Sequence, residues 1–191
     1  MPALPRRYAA KISQGNVLMR LRNFEGALVE YREAISVDPH QAEAHCMLGK
    51  ALAQLKRYDE ALVECRHALH IEPNLAEVHN DMGVLLRHLE RFGESLEEYH
   101  ESIRINPSLP YVHTNLGISL LRLKRYDEAM AEYRAALKLD PHVTAALFGI
   151  GSVYWQLGHW AEAIRAWSET LRIDSKHAGA LRGLALARAR P

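Results

Sequence analysis

The chain has 191 residues, a formal net charge of +1 and 48% hydrophobic residues, values that are ordinary for a folded protein. The near-neutral charge argues against a nucleic-acid-binding protein, which usually carries a strongly basic domain, and no apolar run reaches the ~18 residues that a membrane span needs. Residues 1–15 lack the apolar segment of a secretory signal. Two cysteines, Cys46 and Cys65, are too few for a disulfide framework. We therefore expect reduced thiols and a cytoplasmic protein.

A short pattern that ends in proline recurs along the chain after a tail predicted at residues 1–7. Pro39, Pro73, Pro107 and Pro141 are evenly spaced, and serine takes the fifth place. Such a fixed period is typical of a stacked repeat array, in which each unit packs only against its neighbours. The register predicts five repeats, at residues 8–41, 42–75, 76–109, 110–143 and 144–177.

Each repeat is predicted to be a pair of helices, as the repeat at residues 42–75 illustrates. Apolar and small residues recur at helical spacing in its first half and again in its second half. Residues 56–58 interrupt the pattern, and Asp59 is expected to be the N-cap of the second helix, with Glu60 in the first turn. Pro73 ends that helix, because proline has no amide hydrogen and pushes the preceding residue out of the helical region.

Residues 178–191 are predicted to form a helix without a partner. This segment carries Leu181, Leu184 and Leu186 but few strongly polar groups, whereas a capping helix normally turns a polar side to solvent. Two interpretations stay open. The segment is either the end cap of the array or an apolar edge that joins another copy or a partner, because exposed apolar patches often mark interfaces.

Several positions recur in register in all five repeats. The first helix repeats a glycine, at Gly15, Gly49, Gly83, Gly117 and Gly151. The second helix repeats a small residue and then an aromatic slot, which holds Tyr31, Cys65, Tyr99, Tyr133 and Trp167. With these positions and the terminal proline, residues 8–177 resemble the tetratricopeptide repeat family. The resemblance implies an all-α, right-handed superhelical solenoid of antiparallel helix pairs, with five repeats and residues 178–191 as a C-terminal capping helix.

The resemblance also implies a site, because in this family the first helices line a concave wall that binds other proteins. Apolar anchors on such a wall supply burial, asparagine can bond to main chain, and arginine can hold a carboxylate. The candidates for partner binding are Lys50, Asn80, Arg87, Tyr111, Asn115, Ile118, Leu121, Arg122, Phe148 and Trp155. The wall of the fifth repeat also includes Ala145, Ser152 and Gln156. Alternatively, some of these side chains pack between neighbouring first helices.

The carboxylate clamp that some family members use is not reproduced. Ile12 stands where the first lysine would be, and Met47 stands where the second asparagine would be. We therefore do not expect binding of chaperone tails.

Neither a metal site nor catalytic chemistry is predicted. His67 and His70 share a helix face, but Cys65 belongs to the core stripe and no further ligand is evident. His45, His79 and His113 occupy one repeated slot and are expected to pack between helices. The sequence contains no phosphate-binding glycine loop, no His-Glu-x-x-His and no nucleophile elbow.

The sequence thus predicts a non-enzymatic scaffold or adaptor without a cofactor, which binds a partner peptide or protein on the concave wall. Two alternatives remain. One is a homo-oligomeric scaffold that uses Leu181, Leu184 and Leu186 or the groove itself. The other is a substrate-recruiting region of a larger enzyme. Fold alone does not decide among these functions.

Overall fold

The computed structural model describes residues 3–189, which contain eleven α-helices and no strand. The helices are α1 Ala3–Arg20, α2 Phe24–Val37, α3 Ala42–Gln54, α4 Tyr58–Ile71, α5 Ala76–His88, α6 Phe92–Ile105, α7 Pro110–Arg122, α8 Tyr126–Leu139, α9 Thr144–Gln156, α10 Trp160–Ile173 and α11 Ala178–Arg188. Each predicted repeat holds one pair of helices, so the prediction of an all-α repeat fold is confirmed.

Two predictions about helix ends are wrong. Residues 3–7 belong to α1 rather than to a tail, while Met1 and Pro2, like Arg190 and Pro191, lie outside the described residues. Helix α4 begins at Tyr58 with Arg57 as its N-cap, so Asp59 lies inside the first turn. The guanidinium of Arg57 pairs instead with Glu60, with Nε 2.6 Å from Oε1.

The early start of α4 follows from the tight turn that precedes it. Lys56 adopts a left-handed conformation, with φ of 60°. Its amide donates to the carbonyl of Ala53 at 3.0 Å, and the amide of Arg57 donates to Leu52 at 2.9 Å. This is the Schellman pattern, which closes a helix within two residues. The corresponding residues of the other repeats also have positive φ, namely Arg22, Glu90, Lys124 and Gly158.

The helices form two compact units, one that ends at Ile105 and one that begins at Asn106. In the first unit, one apolar core extends from Ile12 to Leu86 across the repeats. In the second unit, Trp167 is 4% exposed and centres an aromatic cluster. Among residues 3–189, no helix is long and apolar enough to cross a membrane.

The repeated glycines and aromatic rings explain how each helix pair packs closely. Tyr99 is fully buried, and its ring lies so near α5 that a Cβ on Gly83 would be 2.5 Å from the ring. A Cβ on Gly117 would be 2.7 Å from the ring of Tyr133. The glycine therefore gives the ring of the second helix a flat backbone surface against which to pack.

Candidate functional site

A cavity of about 620 Å³ opens in the second unit, and we call it the Phe148 cavity. Its walls come mainly from α7, α9 and α11, with two tyrosines from α8. It includes seven of the residues that the family register places on the wall: Ile118, Leu121, Arg122, Ala145, Phe148, Ser152 and Gln156. The structure thus brings four of the predicted partner-binding residues, Ile118, Leu121, Arg122 and Phe148, together around one space.

Small residues create this cavity. A Cβ on Gly149 would collide with the ring of Tyr133, and a Cβ on Gly179 would be 2.8 Å from the ring of Phe148. Ala145 and Ser152 are also short and line the space. The floor of the cavity therefore includes aromatic rings and helix backbone beside the side chains of Ile118 and Leu121.

Phe148 is held in place from several sides. Its ring lies 6.3 Å from Trp167 and 5.0 Å from His177, measured between ring centroids. The Nε1–H of Trp167 donates to the carbonyl of Phe148 at 3.3 Å. Because these contacts fix the helix and the ring together, the apolar floor is formed before any ligand arrives.

The rim of the Phe148 cavity is cationic. Arg122, Lys124 and Arg182 line the cavity and are exposed, and none of its described lining residues is acidic. Within the part of the chain that the structure describes, none of these three cations forms an ion pair. The cavity therefore combines an apolar floor with positive charge that no described carboxylate neutralises.

The three remaining candidates of the second unit do not line the cavity. Tyr111 is 41% exposed and Asn115 is half-buried. Trp155 packs within the aromatic cluster, with its ring centroid 4.7 Å from Trp160 and 5.4 Å from Trp167. Trp155 therefore packs against α10, the second helix of its own repeat, rather than between neighbouring first helices.

In the first unit, the candidate residues take part in local contacts. The ammonium of Lys50 lies 3.7 Å from the carboxylate of Asp81. Asn80 is buried, with 7% of its surface exposed. Arg87 is half-buried, and its Nε has no hydrogen-bond partner among the described residues.

Seven lining residues of the Phe148 cavity were not among the predicted wall positions. They are Lys124, Tyr126, Tyr133, Gly149, His177, Gly179 and Arg182. The register could have revealed three of them, since Gly149, Gly179 and Arg182 lie one repeat period after Asn115, Ala145 and Phe148.

The leucines of α11 differ in exposure. Leu184 packs against the cluster around Trp167, whereas Leu181 is 48% exposed and Leu186 is 62% exposed. Of these three leucines, Leu181 and Leu186 are the exposed ones, and self-association through them stays a proposal.

The thiol and histidine groups show no arrangement for metal chemistry. Burial raises the pKa of the Cys46 thiol to about 11, so that it stays protonated near neutral pH. Among residues 3–189, no three His, Cys, Asp or Glu side chains are placed to hold a metal ion.

The repeated histidines pack between helices and each pairs with a glutamate. The Nδ1 atoms of His45, His79 and His113 lie 2.7–2.8 Å from the carboxylates of Glu64, Glu98 and Glu132. The hydrogen bond to Glu98 raises the pKa of His79, and burial opposes this shift. The hydrogen bond to Glu132 likewise raises the pKa of His113. The fold therefore favours the protonated form of both imidazoles.

This preference predicts the direction of a pH effect. The stabilisation from a raised histidine pKa is complete below the unfolded pKa of about 6.5 and is lost as pH rises through the folded-state pKa. We expect the His79→Gln/His113→Gln variant to lower the thermal midpoint more at pH 6 than at pH 8.5, as measured by circular dichroism. His100→Gln/His142→Gln, at two exposed positions outside the pairs, is the control. If the thermal midpoint fell equally at both pH values, the raised pKa assigned to His79 and His113 would be contradicted.

Sequence models of the tetratricopeptide repeat match most of the chain. One matches residues 12–76 and 148–190, and a second matches residues 110–143. Residues 77–109 lie outside these matches, although α5 and α6 have the same paired arrangement. A search of curated protein sequences gave no significant match.

Solved structures of similar fold have low sequence identity. YrrB, described as a TPR protein with an unusual peptide-binding site, has 22% identity and a TM-score of 0.72, with 92% of this chain and 90% of YrrB covered. PilF of Pseudomonas aeruginosa has 21% identity and a TM-score of 0.78, with coverage of 99% and 94%. MamA of Desulfovibrio magneticus RS-1 has 16% identity and a TM-score of 0.79, with coverage of 90% and 97%. At these identities, the likeness concerns the fold.

Proposed function

Because this chain belongs to the tetratricopeptide repeat family, we propose that it is a non-enzymatic interaction scaffold and that the Phe148 cavity binds a segment of a partner protein. The segment is acidic and presents a large apolar side chain. The observation that carries this proposal is the cationic rim, which forms no ion pair among the described residues and lies above an apolar floor. The similarity to YrrB, which is described as having a peptide-binding site, supports a peptide as the kind of ligand.

The floor supplies the anchor site. Ile118, Leu121 and Phe148 offer apolar surface, and the small residues between them leave room for a side chain of the partner. Burial of an apolar side chain contributes roughly 25 cal/mol per Å² of surface removed from water. Anchors in well-packed pockets of this kind carry most of the binding energy in protein interfaces.

The rim supplies the charge preference. Arg122 and Arg182 lie on α7 and α11, so they approach the cavity from different helices. A guanidinium binds a carboxylate with two parallel hydrogen bonds, and unlike charges also accelerate encounter. Because the described lining residues include no acidic side chain, a carboxylate ligand meets no like charge from them.

Selection from a phage-displayed library of random short peptides tests this proposal. We expect the wild-type protein to enrich peptides with Asp or Glu beside a large apolar residue. The Arg122→Glu/Arg182→Glu variant should bind those peptides about tenfold more weakly or worse, because a hydrogen bond to a charged group contributes ~1.5–3 kcal/mol. Affinity measured by calorimetry should also fall as salt is added.

The control is Arg134→Glu/Arg165→Glu. It changes the net charge by the same amount at exposed positions that do not line the cavity. If this control weakens binding as much as the cavity variant does, the effect is general electrostatics and not a site. Enrichment of peptides without acidic residues would contradict the charge preference.

A further inference from the structure

The second repeat departs from the other four at its aromatic slot. In the fifth repeat, a Cβ on Gly151 would collide with the ring of Trp167, and the tyrosines of the first, third and fourth repeats approach their glycines in the same way. In the second repeat, Cys65 takes the slot. A Cβ on Gly49 would meet only ordinary neighbours there, the nearest being Sγ of Cys65 and the carbonyl of Ala61 at 3.4 Å.

A cavity of about 320 Å³ lies where this ring is missing, and we call it the Cys65 cavity. Gly49 and Ala53 line it from α3, Cys65 from α4, and Val84 and Leu85 from α5. Leu85 and Cys65 are each 3% exposed, so they form the deep end. The second repeat therefore keeps the glycine surface for an aromatic ring but supplies no ring.

The Cys65 cavity corresponds to the space that the ring of Tyr133 fills in the second unit. In the fourth repeat, the ring of Tyr133 lies against Gly117 and also against Gly149 of the following first helix. Two repeat periods earlier, the matching positions are Gly49 of the second repeat and Asp81 of the following first helix. Both of these residues line the Cys65 cavity.

We propose that the Cys65 cavity is a second binding site, which receives the phenyl ring of a phenylalanine side chain from a partner protein. An apolar cavity of ~150 Å³ already takes up a benzene-sized guest, and this cavity is larger. Its deep end consists of Cys65, Leu85 and helix backbone around Gly49. A phenyl ring has no polar atom that must be hydrogen-bonded on burial, so phenylalanine is the aromatic side chain that this deep end suits.

The entrance of the cavity suits the main chain of such a partner. Lys50 and Asp81 line the cavity, and their side chains are 42% and 32% exposed. Asp81 offers an acceptor for a main-chain N–H beside the anchor, and Lys50 offers a donor for a carbonyl oxygen. The ring enters past this pair and lies against Gly49.

A tyrosine at position 65 would fill the Cys65 cavity, and this substitution provides the test. Cys65→Tyr restores the residue found in the first, third and fourth repeats, and Gly49 leaves room for it. N-acetyl-L-phenylalanine methylamide is titrated into the full chain while the methyl NMR signals of Met19, Val84 and Leu85 are followed. We expect saturable shifts with wild type, retained shifts with Cys65→Ala and loss of the shifts with Cys65→Tyr.

Further measurements separate this site from the Phe148 cavity. Ala53→Leu narrows the Cys65 cavity from α3 and should also abolish the shifts, which keeps the test valid if Cys65→Tyr does not fold. Arg122→Glu/Arg182→Glu, which alters the other site, should leave the shifts unchanged. The proposal would be overturned if wild type showed no saturable shifts, or if Cys65→Tyr and Ala53→Leu both showed the same shifts as wild type. Neither result would bear on the Phe148 cavity.

Discussion

Replacement of Trp167 by alanine is expected to lower the free energy of unfolding by about 3–5 kcal/mol, the range found when a large buried aromatic side chain is removed. The indole is 4% exposed and lies against the backbone of both Gly151 and Gly183. It also supports Phe148, both through ring contact and through the hydrogen bond to its carbonyl. Urea unfolding followed by circular dichroism measures the loss.

Trp160→Ala provides the matched control, because it removes the same side chain from a half-buried position in the same unit. Its ring contacts Trp155 but does not lie against a glycine of the first helices. We expect a clearly smaller loss from Trp160→Ala. Equal losses of unfolding free energy would mean that the contacts of the Trp167 indole with the glycines add no stability to the packing of α9, α10 and α11.

The sequence predicted the number and pairing of the helices well, because the repeat period determines both. The five helix pairs follow from positions that recur once in every repeat. The prediction of an N-cap at Asp59 was wrong because the preceding turn depends on a left-handed Lys56, and lysine carries no sequence signal for that conformation. Helix ends are set by such local turns, which the hydrophobic period does not specify.

The candidate site was less predictable, because side-chain volume, and not the repeat register alone, decides which wall positions line a cavity. Trp155 occupies the same repeat position as Leu121, yet Leu121 lines the Phe148 cavity while Trp155 turns to Trp160 and Trp167. The glutamate partners of the histidines were also missed. Glu64, Glu98 and Glu132 recur with the period, but each lies on a different helix from its histidine, and such a pair becomes a contact only once the two helices are packed.

Replacement of a first-helix glycine by alanine is expected to change the free energy of unfolding, and the sign of the change depends on whether an aromatic ring packs against that glycine. Gly83→Ala places a Cβ 2.5 Å from the buried ring of Tyr99, and overpacking of this kind costs about 1–3 kcal/mol. Gly49→Ala meets only contacts of 3.4 Å or more, so it should gain the ~1 kcal/mol by which alanine exceeds glycine in a helix. Urea unfolding should show a lower midpoint for Gly83→Ala and a higher one for Gly49→Ala.

A double-mutant cycle shows whether the missing ring causes this difference. In a Cys65→Tyr background, Gly49→Ala would face a tyrosine ring as Gly83 does, so its gain should turn into a loss. Residues in contact are non-additive by roughly 0.5–3 kcal/mol in general, which is the size of the reversal expected here. If Gly49→Ala is destabilising without the tyrosine, the first-helix glycine is required for another reason. If it stays stabilising with the tyrosine, the ring does not enter the space that the Cys65 cavity leaves open.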